Sequence, residues 1–238
     1  MQLLFHQQLE THLSSARLGA YTASSADGHP DPKVTLARYM LNVSLCESLY
    51  PALQNCEIAL RNAIHRHLSN LIEREDWYDV PNFVMTSWGQ EETRKAKEKL
   101  KKLGKVATPG SVVAELQFGF WSSLFEAHYE QKTAFLPGAF KAVFPHMPKS
   151  LHKRKDRKND LDRIRALRNR VFHHERIIHW SDLSTQHGLT LNVIGWISPP
   201  LRKMTDALDR FKSVQSAGLT PFLVHPMWCA EQTTGSGL

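Results

Sequence analysis

Six apolar side chains, Leu53, Cys56, Leu60, Ile64, Leu68 and Leu71, recur at intervals of three and four residues. A helix lays such a series along one side, whereas a strand would scatter it over both faces. The middle of the chain is therefore expected to be a long amphipathic helix. Similar spacing recurs elsewhere, and no segment alternates with period two over a strand's length. The fold class expected is all-α.

Local signals set the element boundaries. Residues 3–18 carry Leu4, Leu9 and Leu13 on an apolar edge, and residues 21–32, rich in Ser, Gly, Asp and Pro, read as a loop. Val34, Leu41, Leu45 and Leu49 predict a helix over 34–49. Pro51 suits the first turn of a separate helix reaching about residue 74. Residues 77–87 read as irregular. The following helix, about 88–103, carries Arg94, Lys95, Lys97, Lys99, Lys101 and Lys102, and Gly104 is placed to end it. Its weak apolar face predicts a surface position. Thr108-Pro109 marks another start. Residues 112–127, with Phe118, Phe120, Trp121 and Phe125 on several sides, predict one buried helix. Prolines 137, 145 and 148 predict a loop over 131–149 with at most a short helix around Phe140. A basic helix follows, then a closing pair over 189–197 and 201–214. Met204, Leu208 and Phe211 should give the last of these its packing face. Residues 1–225 read as a single domain and 226–238 as a flexible tail.

A chain of 238 residues with 42% hydrophobic and 22% charged residues can bury a proper core. Its three cysteines, Cys46, Cys56 and Cys229, show no CxxC pair, which argues against a disulfide framework or a thiolate zinc site. No basic-then-apolar leader and no membrane-length apolar run is present, so a cytoplasmic protein without a membrane partner is expected. The net charge of +7 is local. Residues 149–180 hold eleven Lys and Arg against Asp156, Asp160, Asp162 and Glu175, and the rest of the chain is balanced. Such a concentration suits a polyanion. The plainer reading is a solvated basic helix face.

Within that run stands Leu-Arg-Asn-Arg-Val-Phe-His-His-Glu-Arg, residues 167–176. At about 100° per residue, Leu161, Ile164, Leu167 and Val171 form one apolar arc. Arg168 borders it; Arg165, Asn169 and His173 lie further round. Arg168 and His173 are five apart, so their bases diverge. Either the helix ends near His173, or two copies of the motif meet about a two-fold axis in a homodimer. The chemistry such a cleft suggests is metal-independent RNA cleavage. The 2′-OH attacks its own phosphate while a histidine moves the proton and a guanidinium stabilises the phosphoryl oxygens. Arg168, Asn169 and His173 are the catalytic candidates. Arg165, Arg170, His174 and Arg176 are candidates for binding RNA, although His174 also reads as a packed histidine closing the apolar arc. No cofactor is implied. A metal site from His173, His174, Glu175 and His179 is disfavoured because the spacing is not HExxH. Glu57, Arg61 and His65, four apart on the long helix, read more simply as an intrahelical ion-pair row than as a strip bordering RNA; Asn62 lies beside them.

The run Arg168-Asn169-Arg-Val-Phe-His173, continued by His174-Glu175, resembles the motif of the Abi-like (abortive-infection) proteins in the HEPN superfamily of helical ribonucleases. Glu57-Ile-Ala-Leu-Arg61-Asn62 and Val113-Ala-Glu-Leu-Gln-Phe-Gly-Phe-Trp121 are similar to two further blocks of that family, in the same order. The resemblance implies a HEPN-like helical bundle with peripheral helices. It also implies a homodimer whose paired motifs form a composite, metal-independent RNase site, in phage defence or as a toxin. It adds Glu57, Arg61 and Asn62 to the candidate substrate-binding residues. RNA is the implied partner, with an antitoxin or a regulatory RNA beside it. Some related toxins carry a tyrosine, modified by an antitoxin, two places after the histidine; here that place is Glu175. The second reading keeps the fold as a non-catalytic RNA-binding or regulatory protein.

Overall fold

A computed structural model describes residues 2–22, 31–81, 83, 85–131, 135–225 and 228. Among these residues every regular element is helical and no strand occurs. The α-helices are α1 (Gln2–Leu13), α2 (Ser15–Gly19), α3 (Pro32–Ile72), α4 (Ser87–Lys102), α5 (Pro109–Glu115), α6 (Phe118–Ser123) and α7 (Ala127–Gln131). They continue as α8 (Phe135–Val143), α9 (Arg154–Phe172), α10 (Leu183–Ile197), α11 (Pro199–Leu208), α12 (Phe211–Ala217) and α13 (Thr220–Leu223). No described helix is long and apolar enough to cross a membrane. Most of the loop expected at 21–32, nearly all of the tail from 226, and Cys229 lie outside the described residues.

The chain groups into two compact units. One comprises Met1–Tyr50, Arg170–Ser181 and Asp209–Leu238, the other Pro51–Asn169 and Asp182–Leu208. Helices α3 and α9 each contribute to both.

The first unit is built on the N-terminal part of α3, whose Leu36, Leu41, Leu45 and Leu49 are buried. The helix expected over 3–18 is interrupted at Ser14, which sits at φ 69° and caps α2 through its hydroxyl, accepting from the Arg17 N–H. Tyr21, 2% exposed, meets Tyr39 edge-on at 5.4 Å. Phe211, at the start of α12, is fully buried.

The second unit is centred on aromatic side chains. Trp77, Phe118, Phe120, Trp121, Phe125, Tyr129, Phe135 and Phe144 are all at most 1% exposed. The Leu53–Leu68 stripe of α3 is buried with them, whereas Leu71, its expected last member, is 42% exposed. Trp77, placed by the sequence in an irregular connection, is a core residue whose ring meets Phe83 at 5.3 Å.

Several boundaries differ from expectation. The two helices predicted around Pro51 are one 41-residue helix. A proline inside a helix costs about 3 kcal/mol. Apolar positions recur at the same spacing on both sides of it, and each fully buried leucine returns roughly 1.5–3 kcal/mol. The buried segment 112–127 is two helices, because Leu116 and Gln117 are extended and the Trp121 indole donates to the Leu116 carbonyl at 3.1 Å. The short helix allowed around Phe140 is α8, residues 135–143, and it starts earlier than expected; Pro137 falls in its first turn, where its missing N–H has no helical acceptor to serve. Helix α10 starts six residues before the expected 189, at Leu183, and its buried Gln186, His187 and Thr190 had hidden the apolar pattern. Met204 and Leu208 are 51% and 54% exposed instead of forming a packing face. The buried side of α11 is marked by Thr205, whose hydroxyl accepts from Asn55 Nδ2 at 2.9 Å.

Candidate nucleic-acid interface

The apolar arc expected on α9 is present: Leu161, Ile164, Leu167 and Val171 are at most 6% exposed. Much of the basic run is neutralised pairwise. In the second unit Arg157 meets Asp160, Lys158 and Arg165 meet Asp162, Arg163 meets Asp182 and Arg154 meets Glu130.

Arg168 and Glu57 form an ion pair between α9 and α3, Nε to Oε2, at 3.1 Å. Their side chains are 19% and 17% exposed. The sequence placed Glu57 in an intrahelical row with Arg61 and His65. Among the described residues no ion pair joins Glu57 to Arg61; Arg61 Nε instead donates to Asn62 Oδ1 at 3.3 Å. His65 serves the core, its Nδ1 accepting from the Trp77 indole at 3.0 Å, and burial lowers its pKa. Asn169 is exposed. Arg165 lies across the backbone of α6, where a Cβ on Gly119 would come within 3.6 Å of the Arg165 side chain.

In the first unit, α9 ends at Phe172 and His173 is exposed just beyond it. The termination is a Schellman motif. The Glu175 N–H donates to the Arg170 carbonyl at 2.8 Å and the His174 N–H to the Val171 carbonyl at 3.2 Å. His174 takes the left-handed position, φ 58°, usually filled by glycine. It is exposed, which corrects the reading of a packed histidine closing the arc.

Two reciprocal contacts tie this turn to α2. Arg17 donates to the His174 carbonyl, and Arg176 donates to the Ala20 carbonyl. Arg170 pairs with Glu175 at 3.0 Å and its guanidinium lies 5.4 Å from the centre of the Trp180 ring. The result is a recess of about 420 Å³ lined by Arg17, Arg170, Arg176, His173 and His174, with Glu175 its single carboxylate. His179, nearby in sequence, has its pKa lowered by partial desolvation first and then by Arg176 and Arg170. Such a recess favours an anion.

Sequence reasoning missed Asn42 and Arg17. Asn42, 3% exposed on α3, accepts at Oδ1 from the Ile177 and Ile178 N–H groups at 2.7 and 3.2 Å. Its Nδ2 donates to the Glu175 carbonyl at 3.3 Å. An amide beside Leu41 and Leu45 was the available signal, since a polar group in a buried stripe needs partners. Arg17 carried no comparable mark. Among the described residues no group of three or more His, Cys, Asp or Glu is arranged to hold a metal ion. Compared with protein-family profiles, curated proteins and solved structures, the chain matches none.

Proposed function

We propose that this protein is a metal-independent endoribonuclease of HEPN-like, Abi-like type, acting as a homodimer in the cytoplasm in phage defence or as a toxin. The carrying observation is the arginine-lined recess that holds an exposed His173 beyond the end of a basic helix. His173 moves the proton between the 2′-OH and the leaving oxygen, since an imidazole can both accept and donate one. Arg168 and Asn169 of a paired copy stabilise and orient the phosphate. Arg165, Arg170, His174 and Arg176, with Glu57, Arg61 and Asn62, make up the RNA-binding surroundings. An antitoxin or a regulatory RNA would restrain such an enzyme.

One observation favours the second reading, a non-catalytic RNA-binding protein of the same fold. The Arg168 guanidinium is mostly buried against Glu57, as an arginine serving the fold would be.

Incubation with RNA in excess EDTA, beside His173→Ala, separates the readings. Wild type is expected to leave 2′,3′-cyclic phosphate ends, to spare DNA and 2′-O-methyl RNA, and to lose activity at least a hundredfold on His173→Ala. RNA binding without cleavage assigns the non-catalytic role. Cleavage that EDTA abolishes assigns the chemistry to a metal ion.

A further inference from the structure

Tyr50 and Trp88 are the two strongly exposed aromatic side chains among the described residues, at 47% and 45%. Tyr50 differs in having a ring partner. It stacks on Phe172 with centroids 5.3 Å apart and planes inclined by 26°. The phenol ring is thus held against Phe172 while about half of the residue stays open to solvent. Phe172 is the last residue of α9, His173 follows it directly, and Arg170 precedes it by two.

From this pair we infer that Tyr50 is a stacking platform for a nucleobase of single-stranded RNA, next to the linkage presented to His173. The inference rests on the ribonuclease reading and names the form of RNA that the site accepts. Stacked aromatic rings with an open face are the usual seat for an unpaired base, because every base offers a π-face. Phe172 backs the Tyr50 ring and fixes its plane before RNA arrives, so less freedom is lost on binding. The recess containing Arg17, Arg170 and Arg176 supplies the complementary charge for the adjoining phosphate. A base in a duplex is stacked and paired on its own strand and cannot reach the ring. Helical RNA should therefore be refused.

Binding is measured with the full-length His173→Ala protein, which removes turnover from the readout. The probes are a single-stranded oligonucleotide carrying 2-aminopurine and the same sequence annealed to its complement. The expected result is quenching of 2-aminopurine by the single strand and at least tenfold weaker binding of the duplex. Tyr50→Phe and Tyr50→Trp retain affinity. Tyr50→Leu, which keeps an apolar cover on Phe172 but has no π-face, weakens it roughly five- to a hundredfold. Unchanged affinity in Tyr50→Leu, equal binding of duplex, or no RNA binding at all overturns the platform. So does a shift of Tyr50→Leu from dimer to monomer, which would make this face a contact between copies. Wild-type protein that binds in a Tyr50-dependent way yet cuts nothing overturns the nuclease alone.

Discussion

His174 sits where a glycine would normally end α9. Its φ of 58° costs a Cβ-bearing residue about 1 kcal/mol, and the two Schellman hydrogen bonds formed around it offset that cost. His174→Gly is expected to raise the thermal midpoint by about 2–4 °C, as gains of that size do in chains this long. A midpoint that stays put or falls would show that the imidazole contributes more through its contacts than it loses in the backbone. The same variant measures its place in the recess, since RNA affinity falls if the ring meets phosphate. Arg168 is a less direct probe. Removing it strands the Glu57 carboxylate, 17% exposed, and breaking such a pair costs roughly 3–5 kcal/mol whatever the protein does with RNA. His173, exposed beyond the helix end, can be changed with little effect on folding.

At the level of elements, Asn42 of α3 holds the strand of backbone that follows the motif. Asn42→Ala leaves the buried Ile177 N–H without its acceptor and removes two further bonds to backbone, with a weak one to Cys46 Sγ, at a cost of roughly 2–4 kcal/mol. Hydrogen exchange at the Ile177 and Ile178 amides should accelerate selectively; amides that stay protected would show that other contacts hold this segment. How much could be read in advance varied by element. The α3 stripe was legible because large apolar residues at three-four spacing leave no other solution. Helix α4 was placed within a residue at each end; Gly104, at φ 66°, closes it in a Schellman turn as expected, and Thr86, which the sequence reading did not use, caps its start. Its buried face was missed, being made of Gly89, Thr93, Ala96 and Leu100, too small to register as an apolar stripe. A Cβ on Gly89 would stand 3.3 Å from the Tyr129 hydroxyl. Pro51 misled because its local preference is outweighed by burial on either side. At the motif, the apolar arc and the helix end near His173 were legible. The Glu57–Arg168 pair was not, because residues 111 apart in sequence announce no contact.

For the whole molecule the nuclease proposal turns on whether Arg168 and His173 act on the same phosphate from different chains. The net charge of +7 suits a polyanion but does not say which chain would contribute which group. Mixing two inactive variants does. Arg168→Gln keeps a hydrogen-bond donor for Glu57 and His173→Ala keeps the helix end, so each is expected to fold and dimerise. Under the nuclease proposal, each homodimer then lacks one kind of proposed catalytic group entirely. Unfolded together and refolded at equal concentration, about half of the dimers should be mixed if pairing is random. A mixed dimer holds one intact arginine and one intact histidine, on opposite chains. If the site is shared between chains, activity returns in the mixture to no more than about half the wild-type level, in proportion to the mixed fraction. If both groups act from one chain, the mixture stays as inactive as its parts. Recovery that appears only after refolding, and not on simple mixing, would show in addition that the dimer exchanges slowly.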